Sequence, residues 1–284
     1  MTHSEKAYQY VCTSIDQRGV AELVLNRHEV HNAFDDIMIG ELIQALDGFA
    51  ANPQLRVLLL RSNGKNFSAG ADLGWMRSMA DKNYDENLLD AGELAKLMQK
   101  LDTFPAPTIA LVQGAAFGGA VGLVACCDIA IASEKSSFCL SEVKIGLIPA
   151  VISPYVVRAM GERASRRYFL TAERFFAAEA LHLGLLHQVV SEDELQGASD
   201  ALVQTLLANS PAAVTAAKDL IFTVANQPTT QALIDETSRR IAAIRVSTEG
   251  QEGLSAFLQK RTPAWQLSQV DIDASTATAS KGQA

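Results

Sequence analysis

Apolar positions recur at two different periods along this chain. Tyr10 to Ile15 and Val20 to Leu25 are β-branched, partly alternating runs separated by Asp16-Gln17-Arg18-Gly19, which predicts a hairpin. From Ile37 to Phe49 the residues Ile39, Leu42, Ile43, Leu46 and Phe49 fall at helical spacing. Val57 to Leu60 is apolar without interruption, the mark of a strand covered on both faces. The polar stretch Ser62 to Asn66 then leads into Ser68-Ala69-Gly70-Ala71-Asp72. Leu88 to Leu101 returns to the helical period, with Leu94, Leu97, Met98 and Leu101 on one stripe, and stops before Pro105-Ala106-Pro107. Thr108 to Val112 is a second continuous strand. Phe117-Gly118-Gly119-Ala120 follows it and opens a wholly apolar helix, Ala120 to Cys127, which has to be buried all round. Asp128 to Ala132 resumes as strand.

From about Pro149 the pattern becomes helical. Val151 to Met160, Ala164 to Leu170, Ala177 to Leu183, Glu192 to Ala208, Pro211 to Ala225, Thr229 to Val246 and Thr248 to Lys260 all carry the helical period, with Leu186 to Val190 as the lone strand among them. Ser210 before Pro211 places a capping residue and a proline at the first helical position. After Trp265 the period is lost and Ser, Thr, Ala and Gly take over. The expected organisation is a core over residues 1–205, a helical region over 206–266 and a frayed tail over 267–284.

A chain of 284 residues with 48% apolar content is ample for one large core. The excess of 32 acidic over 24 basic residues, a net charge of −8, argues against a partner bound through its phosphate backbone, so no nucleic-acid partner is expected. The four cysteines, Cys12, Cys126, Cys127 and Cys139, lie in apolar sequence without metal-ligand spacing and read as buried free thiols of a reducing compartment. Met1 to Gln9 is polar and carries no apolar or Arg-rich leader, and no apolar run is long enough for a membrane span; a cytoplasmic location without membrane contact is the expectation. The five histidines form no metal motif, and G-x-S-x-G and P-loop patterns are absent, so no metal site and no permanently bound cofactor are expected.

The candidate chemistry lies in the two glycine turns. Each follows a β-rich run and opens a helix, whose N-terminus carries unpaired N–H groups and the positive end of the macrodipole. Two such termini face to face would hold one developing oxyanion, a device suited to a thioester. Glu142, between the strand-like Phe138-Cys139-Leu140 and the loop Ile145-Gly146-Leu147, is the proton-transfer candidate: apolar flanks should desolvate it and raise its pKa toward neutrality. Asp72 is placed to cap a helix, and Trp75 and Met76 to wall a pocket. Arg77 and Lys144 are candidates to meet a substrate carboxylate.

Five ordered segments resemble the crotonase, or enoyl-CoA hydratase/isomerase, superfamily: Leu25-Asn26-Arg27 with Asn32-Ala33, although His28 replaces the usual proline; Phe67-Ser68-Ala69-Gly70-Ala71-Asp72-Leu73; Gly114-Ala115-Ala116-Phe117-Gly118-Gly119; Ser141 to Pro149; and Phe257-Leu258-Gln259-Lys260-Arg261-Thr262-Pro263. The resemblance implies an α/β spiral of ββα units, a C-terminal α-helical trimerisation region, and a homotrimer or dimer of trimers. It gives the Ala71 and Gly119 amides the role of oxyanion hole and Glu142 that of acid and base. It places Arg27, Ala33, Ala69, Ala71, Asp72, Leu73, Gly74, Gly118, Gly119 and Lys260 at the acyl-CoA substrate, of which coenzyme A is a part; Lys260 would reach a CoA phosphate, in one version from a neighbouring subunit.

Within the superfamily, Ala71 to Met76 and Glu142 to Tyr155 look most like bacterial methylglutaconyl-CoA hydratases. One position departs from the hydratase pattern. Three residues beyond the oxyanion glycine, where well-known hydratases carry a second glutamate, this chain has Gly122. A single carboxylate suits a Δ3,Δ2-enoyl-CoA isomerase, which shuttles one proton, whereas the methylglutaconyl-CoA hydratase likeness points to water addition; hydratase is ranked first. A non-catalytic RNA- or protein-binding member of the family is a third alternative, against which the acidic balance weighs.

Overall fold

The computed structural model describes residues 8–266, so the expected tail and most of the N-terminal segment lie outside the described residues. Strands β1 (Val11–Ile15) and β2 (Val20–Leu25) form the expected hairpin, closed by Asp16 and Gly19. Helix α1 (Asp36–Ala50) leads to β3 (Val57–Ser62), and helices α2 (Leu73–Asp81) and α3 (Tyr84–Asp102) lead to β4 (Thr108–Val112). Next come β5 (Ala115–Phe117), helix α4 (Gly119–Cys126), β6 (Ile129–Ser133) and β7 (Ser137–Cys139). The helical half contains α5 (Ser153–Thr171), β8 (Phe175–Phe176), α6 (Ala177–His182), β9 (Gln188–Val190), α7 (Leu195–Leu207), α8 (Pro211–Val224), α9 (Gln231–Val246) and α10 (Thr248–Gln259).

The main sheet has the order β1-β2-β3-β4-β6-β9, parallel except for the β1-β2 hairpin. Its strands read as continuous apolar runs because both faces are covered. Leu58 and Leu60 pack with α1, α3 and α4, while Val57 and Leu59 join Val203 and Leu207 of α7 in a second core. Helix α4 meets its requirement: Ala120, Val121, Gly122, Leu123, Val124 and Cys126 are all buried.

A second sheet, β5-β7-β8, carries the site, and isolated parallel bridges extend it: Ser68 pairs with Ala116 and Phe34 with Ala71. Successive ββα turns therefore each contribute a short segment to one continuous wall. The strand-like Phe138-Cys139-Leu140 marks β7 in the sequence, whereas β5 and β8 escape sequence reading because two or three residues are too few to show alternation. Leu186 to Val190 is accordingly not the lone strand of the helical half: Phe175 pairs with Phe138, and their rings stack with centroids 5.6 Å apart.

Other details have equally local causes. The two helices expected over Val151 to Leu170 are both present, as the two pieces of α5 on either side of Gly161, whose φ of 78° breaks the helical path between them. Helix α3 begins at Tyr84, earlier than its apolar stripe shows, because an Asn83/Glu86 capping box starts it through an exposed turn. Cys12 is exposed, since alternation along edge strand β1 turns Val11 inward and its neighbour out; Cys126, Cys127 and Cys139 are buried and all four thiols are free. The boundary expected after residue 205 falls inside α7, whose Leu207 belongs under the sheet, so the appended helices start at the Ser210 cap of α8.

The turn between β2 and α1 is locked by Asn32, which is fully buried in a left-handed conformation (φ 55°). Its Oδ1 accepts from Arg27 N (2.8 Å), and its Nδ2 donates to the Asn63 and Asn66 carbonyls (2.8 and 2.9 Å). This pins the first glycine turn to the end of β2. Asn32→Ala leaves three partly buried backbone groups without their partner and puts alanine in the left-handed region, which asparagine tolerates better. The expected loss is about 3 kcal/mol, read as a lowered urea midpoint.

Candidate active site

The two glycine turns are neighbours. Ser68 N donates to the Ala115 carbonyl (3.0 Å) and Phe117 N to the Ser68 carbonyl (3.0 Å). A Cβ at Gly70 would lie 2.8 Å from the Phe117 carbonyl oxygen, and Gly70 has φ +91°, so this crossing requires glycine for both space and conformation.

Ala71 owes its available amide to its strand partner. Phe34 N donates to the Gly70 carbonyl (2.9 Å), and the Phe34 carbonyl accepts from Asp72 N (3.0 Å). In a parallel bridge of this kind the residue opposite, Ala71, directs its own N–H and C=O away from the partner strand. Gly119 is the first residue of α4, so its N–H has no carbonyl four residues earlier to meet. Its N-cap, Gly118, has φ 55° and ψ −126° and ties its own N–H to the Cys139 carbonyl at 2.8 Å. Ala71 and Gly119 line the same cavity of about 960 Å³.

Phe34, which periodicity alone does not single out, links the two donors. Its backbone holds the Ala71 segment, and its ring lies where a Cβ on Gly119 would come within 2.6 Å of Cζ. Absence of a side chain at 119 is thus what lets the helix start sit against the bridge.

Glu142 opens a short 3-10 turn, Glu142–Ile145, just after β7. It lines the cavity with Ala71 and Gly119, and its Oε1 lies 3.4 Å from where a Cβ on Gly118 would stand. Its Oε2 is buried and has no hydrogen-bond partner among the described residues. Burial raises its pKa, and a hydrogen bond to its own backbone offsets this only in part. The three residues singled out for chemistry are therefore brought together.

The residues assigned to CoA divide. Ala69, Leu73 and Gly74 are exposed along the first turn, while Ala33 and Gly118 are buried beneath it. Asp72 caps α2, accepting from Gly74 N (2.7 Å) and Trp75 N (3.1 Å). Arg27 faces inward: its Nη1 lies 3.1 Å from Asp35 Oδ2 and 3.3 Å from Asp72 Oδ2 and donates to the Ala33 carbonyl, and its guanidinium stacks 4.5 Å over the Tyr10 ring. Since Asp35 caps α1 through Met38 N (2.9 Å), Arg27 ties together the caps of two helices that flank the site. Lys260, at the left-handed end of α10, is exposed and does not line the cavity within this chain. Arg77 and Lys144 are exposed and line no part of it, whereas Trp75 and Met76 form its wall as expected.

Gly122 has a packing reason. A Cβ there would fall 2.2 Å from Ile152 Cγ2 and 3.2 Å from Met98 Sδ, so the place of a second carboxylate is filled by buried hydrocarbon. Ile152 belongs to the segment Ile145–Ile152 that closes one side of the cavity.

Two outcomes test this geometry. Gly119→Pro removes a donor N–H and is expected to lower kcat/KM on a thioester substrate by about 100- to 1000-fold. Gly119→Ala keeps the donor but meets Phe34, and serves as the control for crowding. For Glu142 the sign follows from a folded pKa above the ordinary value of 4.5. Well below that value both folded and unfolded chains hold the proton, and the raised pKa carries no penalty; as pH rises through it the unfolded chain ionises first, and the folded state loses relative stability until Glu142 ionises too. Glu142→Gln should therefore melt higher than the wild type at neutral pH and together with it near pH 3.

Residues 16–268 match the enoyl-CoA hydratase/isomerase family. A crystal structure of an enoyl-CoA hydratase from Shewanella pealeana is 56% identical, covers 92% of this chain and 97% of its own, and superposes with a TM-score of 0.89. Pseudomonas aeruginosa AtuE is 33% identical, with 90% and 99% coverage and a TM-score of 0.86. Among curated relatives, the enoyl-CoA isomerase/hydratase fer4 of Mycosarcoma maydis is 33% identical over 93% of this chain and 98% of its own length. The chain has the crotonase fold and belongs to the enoyl-CoA hydratase/isomerase family.

Proposed function

We propose that this chain adds water across the double bond of a 2-enoyl-CoA thioester, with 3-methylglutaconyl-CoA as its substrate. The observation that carries the reading is the meeting of the Ala71 and Gly119 donors with the desolvated Glu142 carboxyl in one cavity. The two amides donate to the thioester oxygen as negative charge develops on it, in a setting where preformed dipoles need little reorganisation. Ionised Glu142 takes a proton from water as the oxygen bonds to C3, and the electron pair of the C2–C3 double bond moves toward the thioester as an enolate. The carboxyl then returns a proton to C2, so the sum is one water added and no group released.

The finer substrate assignment rests on the likeness of Ala71–Met76 and Glu142–Tyr155 to methylglutaconyl-CoA hydratases. A water held by Glu142 alone lacks a second anchor, since Ile152 occupies the space beside Gly122. The distal carboxylate of a glutaconyl group supplies that anchor. The same packing favours a second reading, Δ3,Δ2-enoyl-CoA isomerisation, in which Glu142 moves one proton between C4 and C2.

Three accompanying proposals follow. Coenzyme A enters only as part of the substrate, contacted along Ala69 to Gly74 and by Lys260. The chain works as a homotrimer or dimer of trimers, which is supported by α8 and α9 having no buried residue while Ile221, Phe222, Ile234 and Ile241 stay exposed. It acts in a reducing, cytoplasmic setting, which its free thiols favour.

Mass spectrometry after incubation with crotonyl-CoA, 3-methylglutaconyl-CoA and a 3-enoyl-CoA distinguishes the two reactions, because hydration adds the mass of one water and isomerisation adds none. Hydration of 3-methylglutaconyl-CoA ahead of crotonyl-CoA is expected; the reverse order refutes the substrate. Glu142→Gln should lower kcat by about 100- to 10,000-fold on the favoured substrate while leaving the far-ultraviolet circular dichroism spectrum intact.

A further inference from the structure

A short parallel ladder joins the two glycine turns. Phe67 N donates to the Gln113 carbonyl (2.8 Å), Ser68 N to the Ala115 carbonyl (3.0 Å) and Phe117 N to the Ser68 carbonyl (3.0 Å). A regular parallel ladder would go on with Ala115 N donating to the Asn66 carbonyl. That carbonyl is already engaged, accepting from Asn32 Nδ2 at 2.9 Å and from Ser62 Oγ at 3.1 Å. The Asn66 side chain stands in for it: Ala115 N donates to Oδ1 at 3.0 Å. Because a peptide N–H only donates, the amide has to present its oxygen to Ala115, and its nitrogen then faces the other way. There Nδ2 lies 3.1 Å from His31 Nδ1, which has to accept. His31 is itself fastened to the first glycine turn, since its carbonyl accepts from Ala69 N at 2.9 Å. One side-chain amide thus connects the turn that carries Ala71 to the strand that leads into Gly119.

We propose that Asn66 and His31 are positioning residues of the oxyanion hole. The Asn66 amide closes the ladder that sets Ala71 against Gly119, and His31 decides which end of that amide faces Ala115. Neither residue lines the cavity, so both act through the backbone donors. This rests on the reading that the Ala71 and Gly119 amides donate to the thioester oxygen. If the Asn66 amide turned over, its NH2 group would meet the Ala115 N–H, donor against donor, and the ladder would lose its last bond. His31 is exposed and Asn66 half-buried, so water replaces the histidine acceptor more readily than it replaces Oδ1. Loss of Asn66 is therefore the larger fault. Preformed dipoles work by their placement, and a shift of one donor against the other is felt at the reacting oxygen.

Isotope-edited infrared spectroscopy of bound butyryl-CoA, labelled with carbon-13 at its carbonyl, reads hydrogen bonding at the thioester oxygen, and this saturated ester needs no turnover. With the wild-type chain the carbonyl band should move to lower frequency than in the free ester; no movement would overturn the oxyanion reading itself. Asn66→Ala should give back much of that shift and lower kcat on the favoured substrate about tenfold, with KM little changed. Asn66→Asp keeps an oxygen for Ala115 N and should stay near wild type in both measures. His31→Gly removes the acceptor at a position whose φ of 56° glycine tolerates, and should produce a smaller loss of the same kind. His31→Asn supplies Oδ1 in place of Nδ1, suits the same φ, and should restore the wild-type values. The decisive variant combines Asn66→Asp with His31→Gly. Both ends of a carboxylate are oxygens, so the histidine has no orientation left to choose and its removal should cost nothing further. A band shift that Asn66→Ala leaves unchanged, a His31→Gly chain indistinguishable from wild type, or a His31→Gly loss that persists in full beside Asn66→Asp would each overturn the proposal.

Discussion

Everything at this site depends on how one residue, Phe34, is shared between two turns. Its peptide group makes a two-bond bridge around Ala71, and its ring fills the space that the missing side chain of Gly119 leaves open. A bridge of this kind satisfies its own polar groups and turns the opposite amide outward. A helix start leaves its first amide unpaired for a different reason, the lack of a preceding turn. Placing these two kinds of unused donor on one cavity gives preformed electrostatic stabilisation without a charged side chain. Glu142 then shares the cavity with these donors, desolvated and able to exchange a proton.

Support for this arrangement comes from groups with no reacting atom of their own. Asn32 fastens the first turn to the end of β2, Arg27 joins the aspartate caps of α1 and α2, and Gly118 anchors the second turn on β7 through the Cys139 carbonyl. Arg27 shows how residue type and role can separate. A basic residue beside a coenzyme A motif invites assignment to phosphate, yet its two carboxylate partners and the Tyr10 face engage it from within the protein. Its charge is used to position helix starts. Ile152 likewise acts by volume: it occupies the space beside Gly122 where another arrangement would place a further carboxyl.

The apolar cavity and the exposed C-terminal helices express the same constraint at different scales. Hydrocarbon walls from α2, α3 and residues 145–152 strengthen the few polar contacts available to an acyl group. Polar atoms on such a wall carry more discrimination than their number implies, because each is either paired or costly.

Sequence by itself determined the strands of the main sheet, the helices with a clear period, both glycine turns and the carboxylate, since these follow from local spacing and from residue types with few alternative uses. Continuous apolar runs at Val57–Leu60 and Thr108–Val112 announced a sheet covered on both faces, and the wholly apolar α4 announced its own burial. Tertiary structure decided what no local window contains: the short second sheet built from two- and three-residue segments, the pairing of Phe34 with Ala71, the inward use of Arg27, and the filling of the Gly122 site by Ile152. The reason is physical. Periodicity reports how a segment meets one environment, whereas a site is made where segments distant in sequence constrain one another, and only their packing tells which donors, acceptors and volumes remain for a ligand.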